Sequence, residues 1–572
     1  MSANYIYTEV NNCQDCSKCI RECPVKAIKV KDQSASIIQE NCIYCGHCTA
    51  VCPVKAKKAR EDISTVKYLL QKFKRVYVSL APSWVSEFAE CDKHILISRL
   101  KKLGFAGVSE TAIGAEIISS HVSSFLNGQS DGVYISPCCP SSIELIHKYY
   151  TPYSKNIINI DTPMLAHGKF LRELYGQDIK IVFIGPCIAK KKEAYMTSGI
   201  IDAVITFKHL RQWIEERHFT DQLGNDGEKP DFVPFTANKG NLYPITGGMI
   251  AGIRKKENTH RVSFLSFSGV KTIIPILDDL PKLGKKSPVF LELLTCTEGC
   301  INGPGTLQHD SAAVKRTTIL ENYDFHNTSR LEIQLESDIT NAYNFEEPVK
   351  QPEYSETVLN EVLQSIGKKT KNDEFNCGGC GYEECRDFAA ALLNEKAERN
   401  MCVSYMKRVA QDKATALLQR MPYGVVIVDK NLKVVESNKN FAKLAGEEAV
   451  FAYEAKPGLE GADLTKLIPF HKYFSNLFHS GESVLEKDIR TGNQLFHLSV
   501  FRLEGQNLLC AILHNLRAPE ISREEIVKRT RKVIRENLQT VQKIAFYLGE
   551  NASNMETLLN SIVDIQDTDY DE

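Results

Sequence analysis

Cysteine is the residue type that offers chemistry here, and its spacing says which kind. Cys13, Cys16, Cys19 and Cys23 run into Pro24, and Cys42, Cys45, Cys48 and Cys52 run into Pro53. Both runs read C-x2-C-x2-C-x3-C-P, where three closely spaced thiolates wrap three corners of a 4Fe-4S cubane and the fourth comes from elsewhere. A zinc ribbon would instead use paired C-x2-C units. Both sites are fully ligated, so their chemistry is electron transfer. Five more cysteines lie in three distant segments: Ser136-Pro137-Cys138-Cys139-Pro140, Gly185-Pro186-Cys187 through Lys190 to Glu193, and Glu292 through Cys296 and Cys300 to Gly303 and Gly305. A last group, Cys377, Cys380, Cys385 and Cys402, reads C-x2-C-x4-C-x16-C, which is odd for zinc. Its interleaved glycines would expose backbone N–H groups to sulfide, so it predicts another 4Fe-4S site, with structural zinc as the alternative. Cys91 and Cys510 remain, in contexts where a plain buried thiol suffices.

The elements that must position these groups follow from length and texture. At roughly 150 residues per domain, 572 residues allow about four domains. The 70 Lys and Arg against 71 Asp and Glu leave a net charge of −1. That balance argues against nucleic acid or an anionic membrane as main partner, since both need a basic face. The start, Met1-Ser2-Ala3-Asn4-Tyr5, has no basic n-region, and no apolar run approaches the length of a membrane span. The expectation is a cytoplasmic protein whose 19 cysteines serve metal or redox chemistry. From 61 to about 350, β-rich runs (Arg75 to Leu80, Gly132 to Ile135, Lys180 to Gly185, Val289 to Leu294) alternate with helical stretches such as Trp84 to Glu90 and Pro163 to Tyr175. This is an α/β pattern with parallel strands. The three cysteine segments fall at or just after strand ends, where ligands bind in open α/β sheets, so they predict one shared site.

The first sixty residues resemble a dicluster ferredoxin. The resemblance implies exchange of the fourth ligand: Cys13, Cys16, Cys19 and Cys52 on one cluster, Cys42, Cys45, Cys48 and Cys23 on the other. The three later segments resemble, in order, the three H-cluster signatures of FeFe hydrogenases: Cys-Cys-Pro, Pro-Cys-x-x-Lys-x-x-Glu, and Glu-x3-Cys-x3-Cys-x2-Gly-x-Gly. With the ferredoxin, the resemblance covers roughly residues 1–350. It implies that Cys139, Cys187, Cys296 and Cys300 hold a 4Fe-4S cubane, and that Cys300 bridges to a diiron azadithiolate centre with CO and cyanide ligands. It further implies that Lys190 donates to one cyanide, that the Ala81-Pro82-Ser83 segment cradles the other, and that Cys138 relays protons. Gly303 and Gly305 would admit close backbone approach, and Met164 stands where the family has a CO-contacting glutamine.

Departures are clear. Ser136-Pro137 replaces Thr-Ser, Ser142 replaces a Trp, and Gly185 and Leu294 replace two methionines. Groups around the ligands tune potential and basicity, so altered catalytic bias and slow turnover are expected. Glu116 is one candidate carboxylate for the proton path. Glu292, with Glu298, is a candidate for a different path.

Residues 355–410 are expected to form the small helical 4Fe-4S domain, with a helix from Arg386 to Asn400 returning Cys402. Residues 411–518 resemble a PAS domain: Gly424 to Asp429, a turn, a strand to Ser437, Asn438 opening a helix, then strands at Val484 to Asp488, Leu495 to Phe501 and Leu508 to Leu513. Its four histidines are not expected to hold a cofactor. Residues 519–572 carry a heptad, Val527, Ile534, Val541, Leu548, Met555 and Ile562, with polar Asn537 and Asn551 in the seam, predicting a dimerising coiled coil. The fold expected is thus an α+β ferredoxin (1–60), an α/β catalytic domain with parallel sheets (61–350), the small cluster domain, an α+β PAS domain and a C-terminal helix.

Together these imply a homodimeric sensory FeFe hydrogenase. It would interconvert H2 with protons and electrons and relay electrons through three accessory 4Fe-4S clusters. It would exchange electrons with a partner such as ferredoxin, and signal through a phosphatase or kinase. The alternatives are a metabolic hydrogenase, or a hydrogenase-like iron–sulfur protein without the diiron centre, which would have little need of Cys138 or Lys190.

Overall fold

The computed structural model describes residues 4–516 except 218, 220–228, 254–260, 308–309, 324–334, 341–346, 351, 481, 492–493 and 504–506. The expected coiled coil at 519–572 lies outside the described residues. Two compact units emerge, Met1–Met406 and Lys407–Glu572.

The first unit opens with the two cysteine runs. The second repeats the first 29 positions on, from Cys13 to Cys42 and from Cys23 to Cys52, and the backbone repeats with it. Asp15, Ser17 and Lys26 are left-handed, as are Tyr44, Gly46 and Lys55 at the matching positions. Left-handed residues between ligands wind the chain tightly inward, a conformation that costs non-glycine residues energy and is kept where the surroundings require it. Two antiparallel ribbons close the segment, Ile6–Thr8 on Lys57–Ala59 and Ile28–Lys31 on Ser34–Ile37.

The α/β region holds two parallel sheets. One has four strands in the order Gly107–Glu110, Val76–Leu80, Lys180–Gly185, Ala203–Thr206. The other has three: Ser263–Ser268, Val289–Leu294, Val133–Ile135. Parallel strands covered on both faces read as unbroken apolar runs, and every residue of Val289–Leu294 is buried. The helix Pro163–Tyr175 starts on Pro163 and stops at Gly176 (φ 97°), as proline at the first turn and glycine past the last predict. Its His167 is fully buried, with Nδ1 2.7 Å from Ser79 Oγ and Nε2 2.9 Å from Ser109 Oγ, which pins the helix to the edge strand Gly107–Glu110 and its neighbour Val76–Leu80. Burial holds His167 down to about 3, so it is a neutral tether. The helix expected over Trp84 to Glu90 ends at Glu87. Arg211 takes the Glu87 backbone carbonyl and carboxylate, which turns the chain away.

Residues 355–406 add the helices Glu356–Ser365 and Cys385–Leu393. The expected helix to Asn400 breaks early because Glu395 is left-handed (φ 54°); a short 3-10 turn, Arg399–Met401, brings Cys402 back. These helices share a core with the ferredoxin segment, where Leu363, Ile366, Phe388 and Ala389 meet Ile20, Ile28 and Val30.

The second unit is a five-stranded antiparallel sheet in the order Val434–Ser437, Gly424–Asp429, Leu508–Asn515, Gln494–Leu503, Val484–Thr491. Four helices between 439 and 480 cover it, and Val426, Phe441, Phe474, Leu498 and Leu513 form its core. Asn438 caps the helix Lys439–Ala445: its Oδ1 accepts from Val425 N and Phe441 N, both at 2.9 Å, and its Nδ2 donates to Tyr423 O at 2.8 Å. His471, His479, His497 and His514 all lie outside the core. Among the described residues no helix is long and apolar enough to cross a membrane.

Candidate active site

Four strands end at one place. Ala81, Pro82 and Ser83 follow Val76–Leu80. Cys138 and Cys139 follow Val133–Ile135. Cys187 and Lys190 follow Lys180–Gly185, and Cys296 and Cys300 follow Val289–Leu294. All of them line one cavity, together with Met164, Glu292 and Gly303. Residues more than 200 positions apart meet because both parallel sheets present their carboxyl ends to it. The sequence-predicted residues that do not line it are Glu116, Glu298 and Gly305.

The donor set fits an iron–sulfur group. The Cys296 thiol is pushed well up, first by burial and then by Cys300, Cys187 and Cys139, and Cys300 rises for the same reasons. Thiolates that repel one another in a dry cavity are stabilised by an iron core carrying positive charge. Among the described residues no three His, Cys, Asp or Glu side chains close around a single ion. Ser83 Oγ is buried without a hydrogen-bond partner, at 1% exposure for the residue, so a ligand acceptor at the cavity wall would satisfy it. Ala81 cannot lend its N–H, which donates to Ile184 O at 2.9 Å. Lys190 Nζ donates to Thr162 Oγ1 at 2.8 Å and pairs with Glu193 at 2.7 Å. An ammonium has three donors, so one N–H remains for a ligand in the cavity.

Gly303 and Gly305 serve the protein more than the cavity. A Cβ on Gly303 would lie 2.7 Å from the Pro186 oxygen, and one on Gly305 2.8 Å from it. Their small size lets the third cysteine segment pack on the second. Glu298 is exposed and faces Arg316 at 3.9 Å.

Cys138 is pushed up to about 12, chiefly by burial, with Glu292 and Cys139 adding and Ser136 and Lys190 opposing. It is therefore a neutral thiol at physiological pH. Its Sγ donates to Met249 Sδ at 3.5 Å, and Ser136 Oγ donates to the same sulfur at 3.0 Å. Glu292 accepts from Gly247 N at 2.7 Å, Met249 N at 3.0 Å and Ser266 Oγ at 2.5 Å. It thus ties the start of the helix Gly248–Ile253 to the sheet, and burial raises its affinity for a proton. Glu116 accepts from Asn238 N and Gly240 N and is pushed up by burial. Two residues the sequence did not single out lie near it. Ser119 is one helical turn beyond Glu116 and lies 2.8 Å from Tyr243 Oη, and Tyr243 lines the cavity. Met249, Tyr243 and Ser119 carry no motif; only the packing of residues 229–253 against the sheets brings them in.

The remaining cysteines sort into sets. Cys19 is pushed up to about 11 by burial, then by Cys16, Cys13 and Cys52. Cys48 is pushed well up by burial, then by Cys45, Cys42 and Cys23. The fourth cysteine of each run thus lies beside the other run, the exchange expected of a dicluster ferredoxin. Cys380 lies in the field of Cys402 and Cys377, while Cys385 N donates to Asn376 Oδ1 at 2.8 Å.

Fold and site together define a multi-cluster iron–sulfur protein with one buried cofactor cavity. More narrowly, residues 74–304 match the family model of the iron only hydrogenase large subunit, C-terminal domain. Residues 12–56 match the 4Fe-4S dicluster domain, and residues 373–404 an Fe-S cluster family. Iron hydrogenase 1 of Clostridium pasteurianum is 23% identical over 319 residues, 45% of this chain and 55% of that protein; the chain thus spans about half the length of this curated relative. A solved FeFe-hydrogenase from Chlamydomonas reinhardtii aligns with 46% of this chain and 89% of its own, at 16% identity and a TM-score of 0.36. A solved PAS domain of an HTR-like protein from Haloarcula marismortui covers 19% of this chain and 97% of its own, at 19% identity and a TM-score of 0.15. Residues 74–304 are thus similar to the iron-only hydrogenase large subunit, and they follow a segment similar to a 4Fe-4S dicluster domain.

Proposed function

We propose that this protein is a hydrogen-sensing FeFe hydrogenase. The observation that carries the reading is the convergence of five cysteines and Lys190, from three strand ends, on one cavity. Cys139, Cys187, Cys296 and Cys300 would hold the cubane, and Cys300 would link it to the diiron centre. That group supplies heterolytic splitting of H2 into two protons and two electrons. The chain's own part is to hold, shield and connect. Lys190 and Ser83 offer donors to anionic ligands, Met164 closes the wall, and Cys138 keeps a proton on sulfur beside Met249. Tyr243 and Ser119 extend hydroxyls from the cavity toward Glu116.

The small domain at Cys377, Cys380, Cys385 and Cys402 would report redox state. The PAS unit and C-terminal helix would pass it on as a homodimer to a phosphatase or kinase, with ferredoxin as exchange partner. Ser136, Ser142, Gly185 and Leu294, where the family has other residues, favour sensing over bulk turnover. The retained Cys138 and Lys190 weigh against a protein lacking the diiron centre.

Isotope exchange tests this. Anaerobically matured protein under D2 in H2O should form HD slowly. No HD would contradict the hydrogenase reading, and fast steady turnover would favour a metabolic enzyme.

A further inference from the structure

Cys45, from the second ferredoxin run, lines the active-site cavity beside Cys139 and Cys296. Next to it, a Cβ on Gly46 would lie 2.6 Å from Pro304 and 2.7 Å from Ile188, so this run presses directly on the cavity's cysteine segments. Cys23 belongs to the same set. Tyr382, 5% exposed, packs in one apolar core with Cys23, Cys380 and Cys385, a core that also takes in Cys19 and Cys13 of the first run; of these ferredoxin cysteines, Cys23 is the one whose charge acts on the Tyr382 phenol. Burial raises the Tyr382 phenol, and Cys380 and Cys23 beside it act in the same direction. Lys26 fastens the junction, donating to Gly381 O at 2.9 Å and to Ile20 O at 3.2 Å, with its Nζ 5.9 Å from the Tyr382 ring centre. At Gly381 (φ 96°) a Cβ would meet Ile20 at 2.9 Å, so no side chain intervenes. Cations gather at the same set: Lys148 Nζ donates to Cys42 O at 2.9 Å, and Lys148 and Lys192 stand 5.1 and 4.7 Å from the Tyr44 ring centre, sharing Glu144 between them. Two ammonium groups against one carboxylate favour an added electron there.

The Cys13, Cys16, Cys19 and Cys52 set reaches the surface at Cys16, which is exposed, while Cys19 is buried. Its polar link to the small domain is Arg21, which donates to Cys16 O and Gly379 O, both at 3.2 Å, in an exposed position.

Resting on the hydrogenase reading, we propose that the Cys23, Cys42, Cys45 and Cys48 site is a branch point. It exchanges electrons with the small-domain site directly past Tyr382, while the Cys13, Cys16, Cys19 and Cys52 site is a separate outlet toward an external partner. One H2 yields two protons, which leave through the cavity. Its two electrons each reduce one 4Fe-4S cluster from the 2+ to the 1+ state, one at the branch point and one in the small domain. The sensing route thus stays inside the protein and does not pass through the outlet site.

The test uses full-length, matured protein in which Cys13→Ser and Cys16→Ser remove the outlet site. Under H2, freeze-quench electron paramagnetic resonance should show the small-domain cluster reduced at the unaltered rate, and Tyr382→Leu should slow that reduction several-fold. A small-domain cluster that stays oxidised in the outlet variant, while the branch-point cluster is reduced and infrared CO and cyanide bands persist, overturns the branch and assigns the route to Arg21. Absent bands in the unaltered protein would instead strike the hydrogenase reading. Dipolar couplings in dithionite-reduced unaltered protein then decide the branch independently. The small-domain spin should couple more strongly to the branch-point cluster than to the outlet cluster, and the reverse order overturns the proposal.

Discussion

The thiol of Cys138 donates to the thioether of Met249 across 3.5 Å, and the Met249 backbone N–H donates to Glu292 across 3.0 Å. One residue therefore orients the Cys138 thiol and is itself held by the carboxylate of the third cysteine segment. Met249→Leu keeps volume but removes the acceptor for both Cys138 and Ser136. A hydrogen bond worth about 1 kcal/mol corresponds to a roughly fivefold change in rate. The expected outcome is a loss of that order in H2 oxidation with the infrared pattern retained. Unchanged rates would mean that the sulfur does not orient the thiol.

Tyr243 and Ser119 are expected to act as one path. Positioned proton carriers contribute at least ~100-fold in many enzymes, but a hydroxyl can be replaced in part by water, so Tyr243→Phe should cost roughly tenfold in H2 oxidation and raise the solvent isotope effect. Ser119→Ala should do the same, and the double variant no more than either alone, as for residues in series. Additive losses would place them on different routes. Glu292→Gln is a poor probe of proton transfer, because an amide has one accepting oxygen and cannot serve both Met249 N and the Gly247 N and Ser266 Oγ donors on the other side; a fall in rate there would mix positioning with proton movement.

The elements that hold this site were legible where local chemistry and packing agree. Thr162-Pro163 and Gly176 bracket a helix unambiguously, and its bounds match the reading. The Val289–Leu294 strand announces itself as an unbroken apolar run. Less legible was what depends on distant partners. The Trp84 helix is cut short by Arg211, more than 120 residues on. The helix after Cys385 stops at a left-handed Glu395 that no glycine or proline marks. Glu116 was picked for its charge, yet its carboxylate is engaged by the backbone of Asn238 and Gly240. Its neighbour Ser119 proves to be the residue facing Tyr243. Such roles arise from the packing of 229–253, whose sequence has no ligand spacing to give it away.

A pH dependence of stability follows from Glu110. It lies at the carboxyl end of Gly107–Glu110, accepts from Ala237 N at 2.7 Å, and is pushed from 4.5 to about 7, mainly by burial, with Glu116 and Asp231 adding and Lys93 opposing. A folded value above the unfolded one means that the protonated carboxyl is favoured by folding. The stability it lends is complete below pH 4.5 and is lost as pH rises through about 7, in all about 3 kcal/mol. Glu110→Gln, which keeps an acceptor for Ala237, should flatten the decline in melting temperature between about pH 5 and about pH 8. An unchanged slope would show that Glu110 does not cause it.

In the second unit, Asn438 is fully buried and joins Val425, Phe441 and Tyr423 through its amide. Asn438→Ala strands those backbone groups and should cost about 2–3 kcal/mol. Hydrogen exchange should speed up across Gly424–Asp429 and Lys439–Ala445 while the infrared bands of the first unit stay put. Equal protection in both proteins would deny the capping role.

The central claim is that the cavity between the two parallel sheets holds a diiron centre attached through Cys300. Infrared spectroscopy of anaerobically matured protein tests it most directly. Stretching bands of metal-bound CO and cyanide are predicted, shifting on exposure to H2 and absent from Cys300→Ala. A protein that carries its full complement of 4Fe-4S clusters after maturation and shows no such bands would contradict the account.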